Sequence, residues 1–486
     1  MRFLILTEEF QHTGYGHVTR CMAIAQAFQA RGIEVMFLVD GDTNVVSILQ
    51  NYSFQAFNWL HDIDRLKKNL ENVQLALIDS YRASLDLYQF VHKHVSVCVY
   101  LDDFNRLEYP PGIIMNGTVG AELIAYPKRE NQIYLLGKDY VILREPFNHD
   151  LYSKKISEKI SSVLITFGGT DPLNLTTTVL SKVLDYSVEL KKIVILGAAF
   201  SHVEEVRALA DKQTELHHNV DAKAMKRLMQ NADLAISAAG QTINELAITG
   251  LPSIIFKVAD NQDNNISGWK RFGFIDSYID ATQTWSSDCL IKQIRRMEDP
   301  AIRLRVSELG KNLIDGKGCE RLVKKAMLLY CRKNMVILRA REKDLLPLFK
   351  LANDIVVRQN SFSVKSIVLS EHTEWFNATL HNPDRRLYVF YLSEMFVGQI
   401  RFDKEGYSHL VVSISIDAFF RGWGLASYML QTAISELKKD EFGLNMKIYA
   451  YVKEENEASQ FAFLKAGFRK CVNEENKVLK FVYYED

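Results

Sequence analysis

Short apolar runs alternate with longer segments of helical periodicity through the first 330 residues, and this pattern restricts the possible folds more than any other feature. RFLILT (2–7), EVMFLV (34–39), LALID (75–79), SVCVYLD (96–102) and GIIMN (112–116) read as buried strands. HVTRCMAIAQAFQARG and SLDLYQFVHKH between them carry apolar residues at helical spacing. Continuous apolar strands separated by amphipathic helices predict an α/β fold with a parallel sheet. A polar stretch at 148–161 interrupts the pattern, which restarts with SVLITF, KIVILG, DLAISA and PSIIF. Two doubly wound, Rossmann-like halves are expected, at 1–150 and 151–330. From 331 the pattern changes. A helical stretch at 342–357 is followed by RLYVFYL, MFVGQIRF and HLVVSISI at hairpin distances, then a Gly-rich turn with a helix, KIYAYV and a last helix–strand. Residues 335–486 are expected to form an α+β domain.

Composition excludes several function classes. The 486 residues carry 59 Lys plus Arg against 59 Asp plus Glu, a net charge of zero. That balance gives no reason to expect a nucleic-acid or anionic-membrane partner. The six cysteines, at 21, 98, 289, 319, 331 and 471, form no CxxC pair or Cys/His cluster of metal-site spacing. They are expected to be reduced core thiols, and no acidic cluster reads as a magnesium site, so no metal is expected. MRFLILTEEF is too short an apolar run for a signal-peptide core, and no run approaches the roughly 18 apolar residues that span a bilayer. A cytoplasmic protein acting on small molecules is expected; oligomeric state is not encoded legibly.

The first strand runs into TGYGHVTRCMAIAQAF. Gly14 and Gly16 allow a sharp turn at the strand's carboxyl end, where open α/β sheets place their ligands. His17 then falls at a helix N-terminus facing the cleft, where the positive end of the helix dipole opposes protonation and suits a base. A tight turn with an incidental histidine would show the same glycines. In the second half, Gly168, Gly169 and Thr170 follow one strand, and Ser237, Gly240, Gln241 and Thr242 follow another. Backbone amides at such turns, aided by a helix N-terminus, suit a diphosphate. Glu245, one turn into the second helix, is placed to accept from ribose hydroxyls, or to be a solvated helix residue. Neither segment matches GxxxxGK[ST] or GxGxxG, so ATPase and NAD readings lack a motif.

Taken in order, GYGHVTRC, IDSY (78–81), LDD (101–103), Leu143-Arg144-Glu145-Pro146-Phe147, FGGTDP, SAAGQTINELAxxGLP and Asn261-Gln262 resemble one family. It is the UDP-2,4-diacetamido-2,4,6-trideoxy-β-L-altropyranose hydrolase of pseudaminic acid biosynthesis. That family is similar in turn to the lipid II-forming N-acetylglucosaminyltransferase, with the glycosyltransferase-B fold. The resemblance covers about residues 1–325. It implies that His17 is the catalytic base of an inverting hydrolase, that Tyr81 contacts the sugar, and that the 237–245 segment with Asn261 and Gln262 holds UDP. A good leaving group leaves the enzyme chiefly to orient water and stabilise the departing diphosphate.

SISIDAFFRGWGLASYML places Arg421-Gly422-Trp423-Gly424-Leu425-Ala426 between a strand and an apolar helix. Unhindered amides at a helix N-terminus are what a diphosphate requires. The turn matches R/Q-x-x-G-x-G/A, and with NEASQFAFLKAGF (456–468) it resembles the GNAT superfamily of N-acetyltransferases. The resemblance implies acetyl-CoA as co-substrate. It also implies a strand splayed from its neighbour so that Ile414 and Ile416 pair with the pantetheine, with Asn456 flanking the cofactor. One position departs: Phe463 stands where members usually carry the tyrosine that protonates the coenzyme A thiolate, leaving that role unfilled, to water, or to another group such as Ser459. Residues 349–376 resemble the substrate-side helices of acetyltransferases acting on UDP-4-amino sugars, with His409 and Glu374 as candidate amine bases.

The combined expectation is acetylation of a UDP-4-amino-4,6-dideoxy sugar and hydrolysis of the resulting UDP-2,4-diacetamido-2,4,6-trideoxy sugar. The alternative is a UDP-sugar glycosyltransferase fused to a protein or small-molecule N-acetyltransferase. A catalytically dead sugar-nucleotide sensor is a third class, against which the intact His17 and glycine turns argue.

Overall fold

The computed structural model describes residues 1–10, 16–41, 49–148, 154–406, 409–439, 442, 446–471 and 477–484. The chain divides into two compact units, Met1–Ala326 and Met327–Asp486.

The first unit holds two parallel sheets. One contains β1 (Arg2–Glu9), β2 (Glu34–Gly41), β3 (Ser53–Ala56), β4 (Leu75–Asp79), β5 (Val97–Leu101), β6 (Gly112–Asn116) and β7 (Gln132–Leu136) in the order 3-2-1-4-5-6-7. The other contains β8 (Ser162–Thr166), β9 (Lys191–Leu196), β10 (Thr214–His218), β11 (Leu234–Ala238), β12 (Ser253–Lys257) and β13 (Tyr278–Asp280) in the order 10-9-8-11-12-13. The central strands are buried end to end because helices cover both faces. Phe3 of β1 stacks on Phe28 of the helix Gly16–Gln29 at 4.0 Å, which seats that helix on the sheet. The order reverses beside β1 in one sheet and beside β8 in the other. Doubly wound sheets bind ligands at such switch points, outside the carboxyl ends of the strands.

Several edge strands escape the sequence reading. β3, β7, β10 and β13 are short or half-exposed, so they lack the continuous apolar run that marks β4 or β8. The two halves share one core. Val119, Val141, Leu143 and Phe147 pack with Leu246, Ile266, Trp269 and Phe274. Gly268 lies so close to the Val119 carbonyl that a side chain there would overlap it.

The second unit carries β14 (Met335–Arg339), β15 (Arg385–Leu392), β16 (Met395–Glu405), β17 (His409–Ile416), β18 (Lys447–Lys453), β19 (Arg469–Lys470) and β20 (Val478–Tyr483), in the order 14-15-16-17-18-20-19. All neighbours are antiparallel except β17 and β18. The helical stretch expected at 342–357 is broken. Leu345–Ala352 ends at Asn353, and Asp354 caps a new helix, Ile355–Asn360, by accepting from the Val357 amide at 3.0 Å. An aspartate competes for backbone amides and so starts a helix better than it continues one.

Candidate functional sites

At the switch point of the first sheet, Asp79 is the last residue of β4 and is fully buried. Nδ1 of His17 lies 2.8 Å from its Oδ1. A carboxylate only accepts, so Nδ1 is the donor, and Nε2 has no hydrogen-bond partner among the described residues. One helical turn on, Arg20 donates through Nε to Asp79 Oδ2 (2.7 Å) and through a terminal nitrogen to Oδ1 (2.5 Å). Its other terminal nitrogen reaches both Asp103 oxygens at 3.0 Å. Burial by itself would push the Asp79 carboxyl up; Arg20, helped by His17, outweighs it and holds the group well below the usual carboxylate range.

Tyr81 completes the cluster. Its ring meets His17 edge-on at 4.6 Å, and its hydroxyl donates to Asp103. Its amide donates to Glu8 Oε1 at 2.8 Å, while Ser80 donates its hydroxyl to Glu8 Oε2 at 2.7 Å. Burial and the neighbouring Asp103 push the Tyr81 phenol far up, so it stays a proton donor. Tyr81 is 37% exposed whereas His17 is 9% exposed, so the tyrosine reaches the surface and the histidine lies beneath it. The second half approaches here. Asn264 donates to the Asp103 carbonyl at 3.3 Å, and Gln241 lines a small cavity with Arg20, Asp103 and Thr118. Gly14 lies outside the described residues.

The turns of the second sheet converge on its own switch point. Gly168 and Gly169 follow β8, and Gly168 has φ +88°, a conformation that favours glycine. A Cβ at Gly16, Gly168 or Gly240 would meet nothing within 4 Å, so these backbones face open space. Asp171 fastens the 168–171 turn by accepting from the amides of Leu175 (2.9 Å) and Thr176 (2.7 Å). Asn265 holds the next turn through the carbonyls of Ala239 (2.8 Å) and Gly240 (3.3 Å). Gln241 and Thr242 open the helix Thr242–Thr249. Ser237 is 1% exposed within β11, its hydroxyl directed to the Ala238 carbonyl, so it supports the turn from beneath. Asn261 is exposed, and Gln262 accepts from the Val258 amide at 2.9 Å.

Glu245 is not a solvated helix residue. It is 7% exposed and takes a two-bond fork from Arg144, 2.6 and 2.8 Å, with the guanidinium 5.5 Å from the Phe147 ring centre. One bond to each carboxylate oxygen leaves one lone pair on each for a hydroxyl.

In the second unit, β17 pairs with β18 only through His409–Lys447, Leu410–Ile448 and Val411–Tyr449. Beyond Val411 the strands part, leaving the β17 edge at Ile414 and Ile416 without a β18 partner. The turn that follows has Gly422 at φ +81° and Gly424 at φ +79°. Gly424 is the N-cap of the helix Leu425–Leu437 and supplies no side-chain cap, so the first amides of that helix, from Leu425 and Ala426 onward, are left for a ligand. Arg421 fixes the turn, donating to the Ile416 carbonyl (2.9 Å) and to Asp354 (2.7 Å). An open parallel edge running into uncapped amides suits an extended amide chain ending in a diphosphate.

The comparisons with known proteins can be set beside this geometry. Residues 163–301 match the glycosyltransferase family 28 C-terminal domain, and residues 334–469 match the acetyltransferase (GNAT) domain. The chain is 27% identical over 261 residues to the pseudaminic acid cytidylyltransferase and UDP-2,4-diacetamido-2,4,6-trideoxy-beta-L-altropyranose hydrolase of Helicobacter pylori, covering 53% of this chain and 44% of that protein. The matches divide the chain into a part similar to sugar-modifying proteins and a part that matches the GNAT domain. The sugar-modifying part is also similar to the spore coat polysaccharide biosynthesis protein SpsG of Bacillus subtilis, 24% identical over 321 residues, covering 64% of this chain and 93% of that protein. An uncharacterized protein of Methanocaldococcus jannaschii is 27% identical over 270 residues, covering 52% of this chain and 55% of that protein. The chain thus spans about half the length of the Methanocaldococcus and Helicobacter relatives. No helix among the described residues is long and apolar enough to cross a membrane, and none of their His, Cys, Asp and Glu side chains group to hold a metal ion.

The sequence pointed to His17 and Tyr81, which the fold brings together, but not to their partners Asp79, Arg20 and Asp103, nor to Arg144 beside Glu245. All four stood inside the motif strings, yet only the fold shows that they touch. In the acetyltransferase part, Asn456 uses its side-chain oxygen to cap the helix Glu457–Lys465 through the Ser459 amide (3.1 Å). Phe463 is 3% exposed and packs on Phe468 and Phe481. His409 begins β17, and the eight-residue strand sets it roughly 23 Å from the strand's far end at about 3.3 Å per residue, remote from the Arg421 turn. Glu374 is exposed on the helix Leu369–His381. His372 on that helix, which sequence reading passed over, is 3% exposed with an unpartnered Nε2.

Proposed function

We propose that the acetyltransferase part uses acetyl-CoA to acetylate the 4-amino group of a UDP-4-amino-4,6-dideoxy sugar. The sugar-modifying part then hydrolyses the resulting UDP-2,4-diacetamido-2,4,6-trideoxy sugar to free sugar and UDP. The observation that carries the hydrolytic half is the His17–Asp79 pair at the switch point, which engages Nδ1 of His17 and leaves Nε2 without a partner among the described residues. In this reading a water loses its proton to Nε2 as its oxygen bonds to the anomeric carbon, and the bond from that carbon to the UDP oxygen breaks. Attack from the face opposite UDP inverts the centre. The amides of 168–170 and 240–242 receive the diphosphate, Asn261 and Gln262 border it, and Glu245 takes ribose hydroxyls with its remaining lone pairs. Transition-state charge is met by dipoles already in place.

For acetyl transfer, the β17 edge at Ile414 and Ile416 and the uncapped amides after Gly424 hold the co-substrate. The amine attacks the thioester carbonyl, the carbon–sulfur bond breaks, and the amine proton leaves to solvent or a base. The buried Phe463 has no proton to give the departing thiolate. Incubating the protein with acetyl-CoA and a UDP-4-amino-4,6-dideoxy sugar, followed by mass spectrometry, tests the pair of reactions. A free diacetamido sugar plus UDP supports it; an unchanged sugar nucleotide refutes it.

A further inference from the structure

The His17–Asp79 pair has a second layer. Arg20 is buried, 8% exposed, and among the described residues it is the one side chain bonded to both carboxylates that hold the cleft residues. Asp79 orients His17, and Asp103 accepts from Tyr81. Within this hydrogen-bonded set, two carboxylates face one guanidinium, an excess of one negative charge next to the imidazole. When the imidazole takes a proton, the set becomes neutral.

We infer that Arg20 is the positioning residue of the hydrolytic site: it fixes His17 and Tyr81 in one frame and sets the charge against which His17 gains its proton. The inference rests on the reading of His17 as the base. Without the guanidinium, two uncompensated carboxylates would hold the imidazole protonated and spoil it as a base. Without Asp103, the set would lack the negative charge that stabilises the imidazolium formed during attack. Among the described residues, the other titratable groups facing the set are Cys21, whose thiol burial and Asp79 push far up, and the phenols of Tyr81, Tyr88 and Tyr126, which burial pushes up and which stay protonated. Glu8 is engaged by Ser80 and the Tyr81 amide, and from the second half Asn264 presents a neutral amide.

The two charges predict opposite effects, which a merely structural role would not. In pH profiles of kcat/KM for UDP release, R20Q should move the acidic limb up by roughly one pH unit or more. D103N should move it down. R20K should return the limb near its wild-type position while kcat stays at least tenfold low, because an ammonium cannot fork across two carboxylates. KM should change less than kcat in R20K. Acetyl transfer by the same chain and the melting temperature report whether each variant folds; if R20Q does not, R20K and D103N decide the matter. Limbs that stay put, or move together, overturn the inference. Retained hydrolysis in H17A would instead overturn the functional reading beneath it.

Discussion

Nδ1 of His17 lies 2.8 Å from Oδ1 of Asp79, at the point where the strand order of the first sheet reverses. The pair joins a helix N-terminus to the end of a strand 62 residues away, and only the doubly wound topology brings them together. His17→Ala should abolish UDP release and leave acetyl transfer nearly intact. A general base contributes roughly 10²-fold or more, so a mutant retaining above about a tenth of wild-type hydrolysis contradicts that role.

Asp79 also ties stability to pH. Its folded carboxyl is held below the usual range, so the unfolded chain binds the proton more readily. The contribution is complete above the unfolded value near pH 4, and declines as pH falls from there toward the folded value. Denaturant melts of the wild type between about pH 5 and pH 2 should lose stability more steeply than those of Asp79→Asn. Parallel curves would show that Asp79 is not strongly coupled to Arg20.

The fork between Arg144 and Glu245 joins a segment after β7 to a helix after β11, 101 residues apart. Removing one partner of a buried ion pair costs about 3–5 kcal/mol, and partial exposure of Arg144 lowers that figure here. Glu245→Ala should reduce melting temperature and raise KM for the UDP sugar. An unchanged KM would take ribose recognition away from Glu245.

How much of this was legible before the fold? Central strands such as LALID and SVLIT announce themselves because both faces are covered, and only apolar residues suit that position. TELHH and SFQA do not, because an edge strand has one partner and tolerates polar side chains. The glycine turns were readable from local order alone. The Asp79–Arg20–Asp103 chain was not, because the carboxylates lie 59 and 83 residues from Arg20 and no local pattern encodes the contact. The sequence left Glu245 open between a ribose contact and a solvated helix residue for the same reason: its partner Arg144 is distant in sequence.

In the acetyltransferase part, Gly424 has φ +79°, where a branched residue is strained. Gly424→Val should block acetyl-CoA binding in a calorimetric titration. Unchanged affinity would remove this turn from the co-substrate site.

Phe463→Tyr tests whether the missing phenol matters. The ring is packed between Phe468 and Phe481, so an added hydroxyl would be buried without a designed partner, at a cost of about 1–3 kcal/mol. The variant should melt lower and gain no acetyl-transfer rate. A raised kcat would show that this position reaches the thiolate.

The central claim is an order of reactions: acetylation first, release of UDP second. A cationic amine and an acetamido group make opposite hydrogen-bonding demands on a pocket, so a hydrolytic site shaped for one should reject the other. The decisive measurement is UDP release over time from a UDP-4-amino-4,6-dideoxy sugar, with and without acetyl-CoA. The account predicts that the amino sugar nucleotide persists alone, and that adding acetyl-CoA releases UDP together with a free diacetamido sugar. Equal release of UDP from the unacetylated sugar would contradict the order.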